Sequence, residues 1–183
     1  MRTRPKDFID AVQTRCARVA VSASATRGQK TEGLVAKARE HLAHVPLGTF
    51  GTSNAAAFRS RLDRATDDLV DAVPGGRLRW GVARKLVNIF LRDALYTAYL
   101  RDRFHLDRAE ALFELPLDSI TARRLRKGYR RGELPCWRGV RHLRPADSDE
   151  FQRAATDAAT QCSVARVHLD AFWWSYRNGD RIA

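Results

Sequence analysis

The sequence predicts an all-α protein, and three observations carry that expectation. Apolar residues recur at the three- and four-residue spacing of a buried helix face along most of the chain. No stretch alternates apolar and polar residues as a half-buried strand does. Proline, glycine and short polar residues interrupt the pattern at intervals that suit helices joined by short connections. At 183 residues, 44% apolar and 30% charged, the chain can bury a core and is too apolar to stay disordered. One domain over residues 1–183 is expected, with two small helical lobes around a cleft.

The first helix opens at Pro5 and runs to about residue 25, with Phe8, Ile9, Val12, Cys16 and Val19 inward, until the polar stretch 22–28 ends it. A second covers 31–45 and stops at Pro46, burying Leu34, Val35, Ala38, Leu42 and Val45. His41 and His44 fall near its C-terminal end, where the helix dipole favours cations. Thr52 or Ser53 caps a third helix carrying Phe58, Leu62, Leu69 and Val73, broken by Pro74-Gly75-Gly76. A fourth runs from Val82 to about Leu100, a short one covers 107–113, and Pro116 turns Leu115 away from helix so that Asp118 caps the next, extending to about Arg130. Residues 131–145 read as loop, Asp147 with Glu150 as a capping box, and 163–177 as the last helix before Asn178-Gly179.

Charge is the loudest bulk signal. Lys and Arg number 33 against 21 Asp and Glu, a net +12. Such an excess favours a polyanionic partner. It is concentrated: residues 119–144 hold nine basic side chains against the single acid Glu133. Solvated faces normally mix signs, so this patch points to nucleic-acid contact. The three cysteines, Cys16, Cys136 and Cys162, are far apart and form no C-x-x-C pair, which fits a reducing compartment and argues against a zinc or iron–sulfur site. No apolar run approaches the ~20 residues of a membrane span and the first ten residues lack a leader's apolar core, so a cytoplasmic, nucleoid-associated protein is expected.

The chemistry centres on two stretches. In Gly81-Val82-Ala83-Arg84-Lys85-Leu86-Val87-Asn88-Ile89-Phe90-Leu91, a glycine-bearing turn leads into a helix with a lysine one turn inside. First-turn N–H groups lack intrahelical partners and favour anions. The second stretch is Leu117-Asp118-Ser119 followed by Arg123.

In this order the two stretches resemble the motifs of the helix-hairpin-helix DNA glycosylase superfamily, in which G-V-G-R-K-x-x-N-x-x-L precedes V-D-T-H and a later arginine. The chain keeps Gly81, Val82, Arg84, Lys85, Asn88 and Leu91, then Asp118 and Arg123; Ala83 stands for the second hairpin glycine and Ile120 for the histidine. The 33-position step from Lys85 to Asp118 is similar to the spacing in archaeal 8-oxoguanine (GO) glycosylases, which also lack an iron–sulfur cluster. The resemblance implies a helix-hairpin-helix fold with the hairpin at about 78–91 and the basic helix and loop at about 118–144. It implies Lys85 as the nucleophile at C1′, Asp118 as its carboxylate partner, and duplex DNA held by Gly81, Val82, Ala83, Arg84, Arg123, Arg124 and Lys127. Activity as a monomer without metal or cofactor is expected.

Apart from the resemblance, an N-glycosidic bond breaks with positive charge developing on the sugar, which a fixed carboxylate stabilises. A lysine attacks only as the neutral amine, a state that Arg84 and the helix N-terminus are placed to favour. A flipped base needs a stacking plate and a polar edge reader. Asp170 and Trp174, four apart on the last helix, are candidates and look like the acid-and-tryptophan wall of the archaeal enzymes; Trp80 and Trp137 are alternative stackers. The excised base would be an oxidised purine such as 8-oxoguanine or a hypermodified phage base such as a modified cytosine. Two other readings are open: a non-catalytic DNA-binding module, and a helical ribonuclease of the HEPN type, whose R-x4–6-H spacing Arg39 and His44 match.

Overall fold

A computed structural model describes residues 5–22, 33–73 and 78–175, except the side chains of Pro5, Trp174 and Ser175. Eight α-helices occur among the described residues: α1 (Pro5–Ala20), α2 (Leu34–Ala43), α3 (Ala55–Ala72), α4 (Trp80–Tyr96), α5 (Ala98–Phe104), α6 (Ser119–Arg126), α7 (Pro145–Gln161) and α8 (Leu169–Ser175). No strand is present among them, and no helix is long and apolar enough to cross a membrane.

The buried apolar residues form two clusters. The first is built by α1 to α5 around α4, which packs on α1, α3 and α5 and buries Val82, Leu86, Val87, Phe90, Leu91 and Leu95. The second joins Leu115, Leu117, Ala122 and Leu125 to Phe151, Ala155 and Leu169. Between them runs the extended segment 113–118. Its main chain would be starved of partners in so dry a place, and side chains supply them. Buried Gln152 mimics a peptide, accepting from the Leu115 N–H (3.0 Å) and donating to its carbonyl (2.8 Å). Arg166 donates to the carbonyls of Leu112 and Phe113, and the Thr121 hydroxyl to that of Pro116.

Several boundaries differ from the sequence expectation, each for a local reason. Helix α1 stops at Ala20; residues 23–25 lie outside the described residues, as do the first two of the expected second helix. Phe8 and Val19 are exposed, Phe8 meeting Tyr99 edge-on. Asn54, not Thr52 or Ser53, caps α3, its carbonyl accepting from the Ala57 N–H at 2.9 Å. The expected helix to Leu100 breaks at Thr97, whose hydroxyl bonds back to the Asp93 carbonyl, and α5 continues to Phe104. Residues 106–112 form a 3-10 helix. Helix α6 ends at Arg126, four residues short. Pro145 opens α7, so Asp147 is already inside it and pairs with Arg144. His41, expected to gain from the helix dipole, has its pKa lowered by burial and so leans to the neutral form.

Candidate active site

Lys85 lies in the second turn of α4, on the first apolar cluster, and Asp118 caps α6, on the second. The fold brings them together: Lys85 Nζ is 3.6 Å from Asp118 Oδ2, with the two side chains 12% and 22% exposed. The contact is an ion pair too long for a hydrogen bond. Asp118 divides its labour between its oxygens. Oδ1 accepts from the N–H groups of Ile120 (2.8 Å) and Thr121 (3.1 Å), while the Thr121 hydroxyl accepts from the Asp118 N–H, closing a capping box. The cap fixes the rotation of the carboxylate, and Oδ2 faces the amine.

Asp170 belongs to the same neighbourhood. Burial raises its pKa first of all; the charges of Asp118 and Asp93 push in the same direction, against Arg92 and Lys85. Arg92 forms an ion pair with Asp170 and bonds twice to Asp93 Oδ1. Arg92 lies seven residues beyond Lys85 on α4 and Tyr96 eleven, so one stripe of this helix carries all three. The Tyr96 hydroxyl and His168 Nδ1 are 2.9 Å apart, and His168 Nε2 is 2.8 Å from Glu110 Oε1. Arg92 and Tyr96 were missed in the sequence, although their spacing from Lys85 is helical. Trp174 shares α8 with Asp170, but its side chain lies outside the described residues.

Arg84 corrects the sequence expectation. It is 2% exposed. Its guanidinium grips buried Glu114 with two bonds of 2.8 and 2.9 Å and reaches Asp63 at 2.8 Å, while Asn88 donates to Glu114 at 3.0 Å. Burial opposes the Glu114 charge, yet Arg84 and Asn88 hold its pKa below the ordinary value. With its charge met by two carboxylates, Arg84 is neither a phosphate contact nor a free cation beside Lys85. Its job is to tie α4 to the segment that carries Asp118. Glu114, the partner that sequence reasoning overlooked, stood out as a lone acid in the apolar run from Phe113 to Leu117.

Gly81 also has a different neighbour from the one expected. A Cβ there would stand 2.3 Å from the Val140 carbonyl oxygen and 2.7 Å from Leu143 Cβ. The backbone that comes close is the chain's own. Gly81, Val82 and Ala83 are all buried, and the N–H groups of Val82 and Ala83 both bond the Arg79 carbonyl, so this turn does not offer them to a phosphate. Trp80 is half-buried, packed on the second cluster with Arg84 Cζ 5.4 Å from its ring centre, as an anchor for α4.

Arg123 and Lys127 are exposed and Arg124 half-buried on α6 and the turn after it. A cleft of about 410 Å³ begins at Ser119, beside Asp118, and runs past Arg123 and Lys127 to Trp137. A cavity of about 770 Å³ lies between α2 and α3 and touches neither Lys85 nor Asp118. His44 borders that cavity, but its Nδ1 lies 2.7 Å from the Glu40 carbonyl oxygen, and Arg39 donates to the Val21 carbonyl. The two residues of the ribonuclease spacing therefore have separate structural tasks. Among the described residues no group of three or more His, Cys, Asp or Glu is placed to hold a metal ion.

The site is thus an amine and an oriented carboxylate meeting between two apolar clusters, with a second acid nearby and a basic cleft leading away. No protein-family model, no curated protein and no solved structure matches the chain.

Proposed function

We propose that the protein is a DNA glycosylase with AP lyase activity, in which two small lobes of a helix-hairpin-helix-type fold close on a flipped nucleotide. One observation carries the reading: Lys85 Nζ and Asp118 Oδ2 stand 3.6 Å apart although the two residues are 33 positions apart in the chain. Lys85 passes a proton to Asp118, and the freed amine attacks C1′ of the flipped nucleotide. The C1′–N bond breaks, and the base leaves with the bonding pair and takes up a proton. The sugar ring then opens to a Schiff base between Nζ and C1′; loss of a C2′ proton and scission of the C3′–O bond cut the strand.

The proton that the base takes up is the one Asp118 received, and the carboxylate so restored faces the positive charge that builds on the sugar. Asp170, braced by Arg92, reads the edge of the base. The bases that fit the reading are an oxidised purine such as 8-oxoguanine or a hypermodified phage cytosine, in repair or in defence. The partner is double-stranded DNA, and the protein works as a monomer in the cytoplasm, on the nucleoid.

The test is mass spectrometry of bases freed from a panel of DNAs carrying 8-oxoguanine or modified cytosines. A single released species that disappears with Lys85→Gln supports the reading; no release from any DNA contradicts it. A DNA-binding module without chemistry is favoured by the exposed cations Arg123 and Arg126 of α6, and for it the same experiment yields binding without release.

A further inference from the structure

Six arginines of the described residues sit against an acid: Arg59, Arg84, Arg92, Arg101, Arg144 and Arg153 each form an ion pair. The cleft that starts at Ser119 departs from this. Its lining includes Arg123, Arg126, Lys127, Arg130 and Arg131, no acidic residue, and none of those five side chains forms an ion pair among the described residues. Four of the five are arginines. Ser119, Arg123 and Arg126 follow one stripe of α6, at i, i+4 and i+7, so the row of charge begins at the residue after Asp118 and leads away from it. Five like charges in a concave site repel one another; Glu133, whose carboxylate accepts from the Arg130 N–H, and Asp157, which holds Tyr129, offset part of this, and an external anion would offset more.

Two rings line the same cleft. The Tyr129 hydroxyl donates to Asp157 at 2.8 Å, and Trp137 packs edge-on against Phe151 at 5.5 Å between centres. Both rings are half-buried and held in place, so stacking on them costs little further ordering. A duplex buries its base faces inside the stack and shows a basic surface only its phosphates. Fixed aromatic rings interleaved with cations suit a strand whose bases are unpaired.

We infer that this cleft is a binding tract for single-stranded DNA, holding the few nucleotides that flank the flipped one and leading the strand to Lys85 and Asp118. It rests on the glycosylase reading for what happens at its inner end. The tract itself reads phosphate and ring faces, and no base edge.

The experiment is fluorescence anisotropy of the full chain with short oligo-dT and with a duplex of equal length, across a salt series, beside base release measured on the same samples. Five engaged cations predict a single-strand slope of log K against log salt of about −3.5, and Arg126→Ser with Arg130→Ser brings it to about −2.1. The variant should also bind oligo-dT roughly tenfold more weakly in moderate salt. A loss in the variant that is larger for oligo-dT than for duplex supports the tract. An equal or smaller loss for oligo-dT, or no oligo-dT binding by the parent chain, overturns it. Base release without that selective loss removes the tract and keeps the chemistry; the selective loss without base release removes the chemistry and keeps the tract.

Discussion

Asp118 shows how one residue serves both the fold and the site, because its two oxygens face different ways. Asparagine caps a helix as well as aspartate does but carries no charge, so the two roles separate by substitution. Asp118→Asn should leave the thermal midpoint nearly unchanged and slow base release by about 10²–10³-fold, as loss of an oriented electrostatic partner does. Asp118→Ala should lose the same activity and about 0.5–2 kcal/mol of stability as well. Calorimetry and a rate assay on both variants check this; full activity in Asp118→Asn sinks the assignment. Asp118 was legible because a proline two residues earlier and a serine after it mark a helix start. Arg84 was not. Residue type and spacing cannot say which way a guanidinium turns when the acid that claims it, Glu114, lies 30 residues on.

Helix α4 and the segment 113–118 are the elements that make the site, and they are held from opposite sides. Glu114 ties the segment to Arg84, Gln152 clasps Leu115, and the turn at Val140 closes over Gly81. Gly81→Ala should therefore cost roughly 1–3 kcal/mol, since the new methyl meets main-chain oxygen that has little room to move. Urea unfolding measures it, and a variant as stable as the parent would show that this contact is not tight. Prolines 5, 46 and 116 and the break near Pro74 made these elements readable. The break at Thr97 was hidden because threonine interrupts a helix only when its hydroxyl finds a partner, here the Asp93 carbonyl. The start of α7 was misplaced for a similar reason: Asp147 and Glu150 mimic a capping box, but Asp147 bonds Arg144 and Pro145 takes the first position.

At the scale of the molecule, the positive excess and the all-α pattern could be read from composition and periodicity, while which helices share each of the two apolar clusters could not. That division gives the pair its place, since the amine stands on one cluster and the carboxylate on the other. The direct measurement is borohydride reduction of the protein mixed with DNA bearing an aldehydic abasic site. The account predicts a covalent protein–DNA adduct through Lys85, absent with Lys85→Gln and diminished with Asp118→Asn. An adduct that persists in Lys85→Gln, or none with the parent chain, would contradict it.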